Sequence, residues 1–298
     1  MNPPGSGAVP AVPPGGASAD RAPGALSTVR GGPARPFRIE DAPALIAVAH
    51  GSRDPRSAAT MRAVVARIAA QRPDLDVRLA FLDLSTPSVD QVVDAVAADG
   101  HSHAVVVPLL LGSAFHARVD LPGMLEAARA RHPRLRLTQA EVLGPDPHLI
   151  IALRDRIVEA MTADTSPVTL TDVAHGVNRP AGPRWGVAVA AVGSSSAAAN
   201  TRTGDVARLL TAMTGWDTEI CFATTEPTVQ KAFARLRARG ADRILVAPWF
   251  LAPGLLTDRL HDALPQLPHA ETLGAHPLLA EVALDRYATA ALPLELSA

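Results

Sequence analysis

An apolar run passes directly into a polar turn in the stretch LIAVAHGSRDP, residues 45–55. The pattern recurs about 140 residues later as GVAVAAVGSSS, residues 186–196. Both copies keep a Gly-Ser pair, but Val192 occupies the position that His50 holds in the first copy. A repeat that keeps its histidine in one copy predicts a single active site per chain, with the other copy as its structural wall.

Three further landmarks recur in the same order and at similar spacing. They are FLDLSTPSV (81–89) with FATTEPTV (222–229), VVVPLLL (105–111) with LVAPWFL (245–251), and GPDPHL (144–149) with GAHPLL (274–279). This order indicates an internal duplication with a domain-sized period. We therefore predict a disordered extension at 1–38, a first domain that carries the site at 39–163, a linker at 164–184 and a degenerate second domain at 185–298.

Composition narrows the classes of function. The 298 residues carry a formal net charge of -1, so no global field attracts nucleic acid or an anionic membrane. Cys221 is the sole cysteine, which excludes disulfide staples and cysteine-based metal centres. No apolar run has the length of a membrane span, and the Pro-, Gly- and Ala-rich start lacks the pattern of a signal peptide. We expect a cytoplasmic protein without nucleic-acid or membrane partners.

Each half of the chain alternates short apolar runs with longer amphipathic stretches. Helical spacing follows the first apolar run, as in Met61, Val64 and Ile68. The alternation predicts an α/β fold of two tandem, doubly wound domains, each with a mainly parallel sheet of about four strands flanked by helices. Strands are predicted at 43–49, 76–82, 104–111 and 135–140, and again at 186–192, 217–223, 243–251 and 269–273.

Polar side chains stand where three strands of the first half end. His50 and Asp83 close the first two strands, and His116 lies just beyond the third. The carboxyl ends of parallel strands share one edge of the sheet, where such folds bind ligands, so the three side chains could converge. Two imidazoles and a carboxylate suit Fe(II), Co(II), Ni(II) or Zn(II) and can also accept protons. Taken singly, each has a plainer interpretation: a hydrogen-bonded loop histidine, or an aspartate that caps the next turn.

Basic and apolar residues near the same edge suggest an acidic ligand with an apolar body. Arg53 and Arg118 are placed to pair with carboxylates, and Arg56 is either a further partner or part of a solvated helix face. The turn after His50 also leads into a helix whose first N–H groups attract anions. A set of apolar residues near the strand ends either walls a cleft or belongs to the core. Its members are Leu109, Leu110, Leu111, Phe115, Trp249, Phe250 and Leu255.

Taken together, three motifs resemble the class II chelatases. They are the turn AHGSRDP (49–55), the strand FLDL (81–84) followed by Pro87, and the stretch FHARVD (115–120). The pattern is most similar to the sirohydrochlorin chelatase family in its long, internally duplicated form. The resemblance extends from Leu45 to the C-terminus, apart from the linker.

The resemblance implies ATP-independent insertion of Fe2+ or Co2+ into sirohydrochlorin, for sirohaem or cobalamin, in a cleft between two lobes. The divalent metal is then a substrate, and no organic cofactor is implied. The implied metal-handling and catalytic residues are His50, His116 and Asp83. The implied substrate-binding residues are Ser52, Arg53, Ser113 and Arg118.

Several alternatives stay open. The family usually has glutamate at the acidic position, so Glu141 or another acid could replace the shorter Asp83. A histidine phosphatase also places a His-Gly turn after a strand, but that chemistry needs an arginine where this chain has Ala49. A tetrapyrrole or metal carrier with the same fold and no turnover fits the same residues. Imidazole and carboxylate accept iron and cobalt alike, with a slight preference for iron from the family. The internal duplication favours a monomer.

Overall fold

A computed structural model describes residues 42–112, 120–163 and 183–292. The elements of the first repeat are β1 (Ala44–Ala49), α1 (Pro55–Gln71), β2 (Val77–Phe81), α2 (Val89–Ala98), β3 (His103–Pro108), α3 (Leu121–Arg131), β4 (Arg136–Gln139) and α4 (Pro147–Ala163). Those of the second repeat are β5 (Trp185–Ala191), α5 (Ala197–Thr214), β6 (Asp217–Phe222), α6 (Val229–Ala238), β7 (Arg243–Pro248), α7 (Leu255–Ala263) and α8 (Pro277–Ala291). Strands and helices alternate until α7 and α8, which follow one another.

Each repeat builds one parallel sheet. The strand order is β2-β1-β3-β4 in the first sheet and β6-β5-β7 in the second, and every pair is parallel. Alternate residues of the central strand β1 enter two different cores, Leu45 and Ala47 on one face and Ile46 and Val48 on the other. Because both faces are covered, the strand is apolar throughout. The predicted doubly wound α/β architecture is confirmed.

The strand predicted at 269–273 is reduced to a single bridge between Val246 and His269. The N–H of Val246 donates to the Pro268 carbonyl at 3.0 Å, and the N–H of Ala270 donates to the Val246 carbonyl at 2.9 Å. Pro268 has no N–H with which to extend this ladder. The second sheet therefore has three strands in the part of the chain that the structure describes.

Side-chain caps start the helices directly after the strand-end turns. The Asp54 carboxylate accepts the N–H of Arg56 at the start of α1, where Pro55 takes the first helical position. Ser196 caps α5 in the same place of the second repeat, and Ser88 forms a reciprocal capping box with Gln91 at the start of α2. These caps hold each turn between the end of its strand and the first turn of its helix.

The last helix of each repeat packs on the other repeat. α4 lies against β7 and α5, while α8 lies against β3, β4 and α1, and the two helices also contact each other. The buried hydroxyl of Tyr287 on α8 donates to the Pro43 carbonyl at 2.7 Å. In the other direction, Arg156 on α4 donates to the Leu273 carbonyl at 3.3 Å. This exchange joins the described residues of both repeats into one compact unit.

One continuous core runs through that unit and contains buried residues of both repeats. The domain boundaries 39–163 and 185–298 stay predictions, since they follow the sequence repeat and the packing connects across them. Cys221 is buried, and burial raises the pKa of its thiol to about 12. Within the described ranges, no helix is both long and apolar enough to cross a membrane.

Candidate functional site

His50 and Asp83 lie side by side at the carboxyl edge of the first sheet. The N–H of Leu82 donates to the Ala49 carbonyl at 2.9 Å, and the N–H of Asp83 donates to the His50 carbonyl at 3.0 Å. Both residues are exposed. The parallel pairing of β1 with β2 thus brings together two predicted site residues that are far apart in sequence.

Gly51 allows the two loops to approach this closely. Its φ angle is +93°, a region that residues with a side chain rarely adopt. A Cβ atom at this position would lie 1.7 Å from the Asp83 carbonyl oxygen, which is backbone and cannot move aside. The glycine that follows His50 is therefore required by the contact between the two loops.

Ser52 and Ser85 fasten the loops to each other. The Ser85 hydroxyl donates to the Ser52 carbonyl at 3.0 Å and accepts the Ser52 N–H at 3.2 Å. The Ser52 hydroxyl accepts the N–H of Asp54 at 3.0 Å. Ser52, predicted to bind substrate, thus has a structural role in this turn. Ser85 was not singled out from the sequence, because its partner lies on another loop and leaves no local pattern.

Leu84 has an unusual backbone conformation between Asp83 and Ser85. Its φ angle is +58°, and the N–H of Ser85 donates across it to the Asp83 carbonyl at 2.7 Å. The Asp83 carboxylate accepts the N–H of Leu84 at 2.7 Å, so it does stabilise its own turn. A left-handed conformation costs a residue with a side chain about 1 kcal/mol or more. Despite this cost, the Leu84 side chain is 51% exposed.

Arg56 connects this edge to the second repeat. Its guanidinium donates to the Asp54 carboxylate and, at 2.5 Å, to the carboxylate of Asp258 on α7. These hydrogen bonds raise the pKa of Arg56, and the bond from Arg56 lowers the pKa of Asp54. The charge of Arg56 is therefore already compensated by two carboxylates. Arg53, three positions after His50 in the same loop, is also exposed.

The remaining predicted site residues, Ser113, His116 and Arg118, lie outside the described residues. Within the described ranges, no three His, Cys, Asp or Glu side chains cluster to hold a metal. The predicted set of His50, Asp83 and His116 therefore stays a prediction.

Glu141, the alternative acid, is exposed just beyond β4. It lines a groove of about 610 Å³ between β4 and α8, together with Arg136 and Arg286. The groove runs along the outer strand of the first sheet. Its lining does not include His50 or Asp83.

The apolar residues near the strand ends divide into core and surface. Leu109 and Trp249 are buried and belong to the continuous core. Leu255, at the start of α7, is 73% exposed, and Val192, opposite His50 in the repeat, is 45% exposed. Apolar side chains that follow strand ends thus reach the surface in both repeats, at Leu84 in the first and at Val192 and Leu255 in the second.

The fold and the described part of the site define a class of protein: it has two parallel-sheet repeats, each covered by the last helix of the other, with a histidine and an aspartate at the carboxyl edge of the first sheet. The CbiX family model matches residues 44–160 and again residues 186–290. The chain therefore belongs to the CbiX family, and the resemblance to sirohydrochlorin chelatases is confirmed.

Named relatives and a solved structure are similar over most of the chain. A sirohydrochlorin cobaltochelatase of Priestia megaterium is 26% identical over 80% of this chain and 77% of its own length. A sirohydrochlorin ferrochelatase of the same organism is also 26% identical, over 80% of this chain and 87% of its own length. The structure of SirB from Bacillus subtilis with Fe3+ has a TM-score of 0.68 at 24% identity, covering 86% of this chain and 98% of that one. At this identity, the structural likeness shows a shared fold.

Proposed function

We propose that this chain is a sirohydrochlorin chelatase that inserts Fe2+ or Co2+ into sirohydrochlorin without ATP. The family match over both repeats carries this proposal. The presence of His50 at the ligand-binding edge of the first sheet, with Val192 at the matching position of the second, supports one active site per chain.

His50 has the chemistry that the reaction needs. Insertion requires the metal to shed water, the macrocycle to distort and two pyrrole N–H protons to leave. A neutral imidazole can hold the incoming cation, and when free of metal it can accept a proton. In this proposal His50 and His116 present the metal from one side of the ring, with Asp83 as the accompanying carboxylate. The second repeat provides the opposite wall of the cleft.

Charge and shape suit the tetrapyrrole as ligand. Sirohydrochlorin carries eight carboxylates around an apolar macrocycle. Arg53 is exposed in the loop that follows His50 and can pair with one of these carboxylates, and Arg118 is proposed as a second partner. Arg56 is a weaker candidate, because it already pairs with Asp54 and Asp258. Ser52 and Ser113 complete the proposed substrate contacts.

Both metals are retained in the proposal. Relatives named for cobalt and for iron are equally similar to this chain, and imidazole with carboxylate binds either ion. We further propose that the enzyme needs no organic cofactor and acts as a monomer in the cytoplasm, with the two repeats in place of two subunits.

Anaerobic incubation with sirohydrochlorin and either Fe2+ or Co2+, followed by absorbance, tests the proposal. We expect spectral conversion faster than in the protein-free control, continuing past one product per protein, with no ATP present. The ratio of the two rates ranks the metals. A matched reaction with the His50→Ala variant separates catalysis by the site from nonspecific acceleration by protein.

Two results would overturn the proposal. Tight binding of sirohydrochlorin with a stoichiometric yield and no faster conversion would identify a carrier. Neither binding nor conversion would leave only the fold and the family.

A further inference from the structure

We propose that Leu84 is a substrate-contact residue on which one apolar face of the tetrapyrrole macrocycle packs, beside His50. The chemical nature of the ligand rests on the function proposed above. The position and conformation of Leu84 rest on the structure of the first repeat. Three observations support this role.

The first observation is the conformation of Leu84 itself. Among the described residues it is the only non-glycine with a positive φ angle, +58°. Leucine is poorly suited to this conformation, which glycine or asparagine adopts readily. The residue is also 51% exposed, so burial in the core does not explain the choice of a large apolar side chain. Unfavourable local conformations that persist in a fold are concentrated at functional sites.

The second observation is that the fold does not need this residue. In the first repeat the N–H of Phe81 donates to the Pro87 carbonyl at 2.9 Å. In the second repeat the N–H of Phe222 donates to the Pro227 carbonyl at 2.8 Å, across a connection that is one residue shorter. The shorter connection closes the same hydrogen bond. The extra residue of the first repeat, in the turn at Leu84, is therefore a local addition.

The third observation is that this turn is held against the His50 loop. Asp83 donates its N–H to the His50 carbonyl, and the Ser85 hydroxyl bridges both backbone groups of Ser52. Both residues that flank Leu84 are thus bound to the loop that carries the histidine. An apolar side chain in this place fits the apolar face of a macrocycle whose charged groups are at its rim. Pre-positioning of Leu84 also lowers the entropy lost on binding.

Substitutions at position 84 separate contact with the ligand from a role in stability. Leu84→Ala removes the side chain, Leu84→Gly also relieves the backbone conformation, and Leu84→Met restores an apolar side chain. Leu209→Ala is the matched control, because Leu209 is 46% exposed on α5 in the second repeat. For each variant, Kd is obtained by titrating metal-free sirohydrochlorin and following absorbance. KM and kcat are measured separately with Co2+, and unfolding is followed in urea.

We expect Leu84→Ala to weaken sirohydrochlorin binding about tenfold and to raise KM with little change in kcat. The reason is that the lost apolar contact stabilises the bound substrate and the transition state equally. Leu84→Gly should be at least as stable as the parent and still bind weakly, and Leu84→Met should recover most of the affinity. Leu209→Ala should bind like the parent. A purely structural role would instead change stability and leave Kd unaltered.

The outcomes distinguish this inference from the proposed function. If the parent binds and turns over sirohydrochlorin but Leu84→Ala has the parental Kd and KM, the role of Leu84 is refuted and the function stands. If the parent does not bind sirohydrochlorin, the proposed function and the role of Leu84 are both refuted.

Discussion

The loops that follow β1 and β5 have the same backbone and different side chains. Gly51 and Gly193 have φ angles of +93° and +92°. The N–H groups of Asp83 and Thr224 each donate, at 3.0 Å, to the carbonyl of the residue before the glycine. This backbone is thus independent of the histidine. It joins strand to helix in both repeats, and the first repeat adds a histidine to it.

The two repeats fasten this turn by different means. In the first, the Ser85 hydroxyl bonds both backbone groups of Ser52. In the second, the Asn200 amide accepts the Ser194 N–H and donates to the Ser194 carbonyl, both at 2.8 Å. The first repeat has Ala58 at the position of Asn200. The same backbone need is therefore met by a neighbouring loop in the first repeat and by the helix itself in the second.

The largest difference between the repeats should come from the histidine. We expect His50→Ala to reduce metal insertion by at least about 100-fold, because metal presentation and proton acceptance are lost together. Stability in urea should change little, since His50 is exposed. The matched change Val192→Ala should leave turnover as in the parent. Equal losses from both substitutions would contradict a single site in the first repeat.

Glycine substitutions compare how tightly the two turns are packed. Gly51→Ala should destabilise the protein by more than about 3 kcal/mol, because the new Cβ meets the Asp83 carbonyl oxygen. Gly193→Ala should cost less, since its nearest neighbour is the side chain of Thr225 at 2.8 Å. Urea unfolding measures both.

Gly100 is the control for this series. It has a φ angle of +86°, but a Cβ there would have no neighbour within 4 Å. Gly100→Ala should therefore cost only the conformational term of about 1 kcal/mol. The expected order of destabilisation is Gly51, Gly193, Gly100. Equal losses of unfolding free energy at all three positions would show that the close approach of the loops does not affect stability.

Substitution of Ser85 and of Asn200, the side chains that hold the two turns, should separate an effect on stability from an effect on activity. Ser85→Ala and Asn200→Ala should each destabilise the protein by about 2 kcal/mol, because each removes two hydrogen bonds that contribute about 1 kcal/mol apiece. Only Ser85→Ala should also slow metal insertion, by about tenfold, because it lets the His50 loop shift relative to Asp83. Steady-state rates and urea midpoints on the same samples test this, and a rate loss in Asn200→Ala would count against it.

The smallest effect is expected on stability when the pH is lowered, at His269, which forms the single β-bridge of the second repeat. Burial lowers the pKa of His269, whose ring packs at a steep angle against the ring of His261 with centroids 4.8 Å apart. The unfolded imidazole, with a pKa of about 6.5, then binds a proton before the folded one does. Stability contributed by His269 is therefore present above about pH 6.5 and is lost as the pH falls through the lower folded value.

We expect the urea midpoint of the parent to fall between pH 7.5 and pH 5.5, and this fall to be smaller in His269→Gln. Glutamine is a suitable replacement because the first repeat has Gln139 at the corresponding position. Leu209→Ala, a change at an exposed residue of α5 that removes no titratable group, is the control and should reproduce the parental fall. A parental fall in His269→Gln would assign the acid sensitivity to other groups.

Much of the fold and part of the site could be predicted from local patterns. Apolar runs identify the central strands, and the Asp54-Pro55 pair marks the start of the first helix. Because parallel strands end at one edge, the sequence predicts that His50 and Asp83 lie close together, and their backbones do share a hydrogen bond; that their side chains act together stays a prediction. The strand predicted at 269–273 is wrong, because only His269 pairs with β7, through a single bridge to Val246, and the apolar composition of the segment does not reveal this.

The sequence by itself determined the duplication, the parallel α/β class and the loss of the histidine from the second copy. These properties can be recognised from the periodicity of apolar residues and from the identity of single residues. Only the tertiary structure decided that α4 and α8 exchange partners, that Arg56 pairs with Asp258, and that both neighbours of Leu84 are hydrogen-bonded to the His50 loop. Periodicity shows that a helix has a buried face, but every apolar sheet offers a similar surface for it. Which sheet it covers, and which distant side chains then meet, depends on long-range packing that leaves no local pattern.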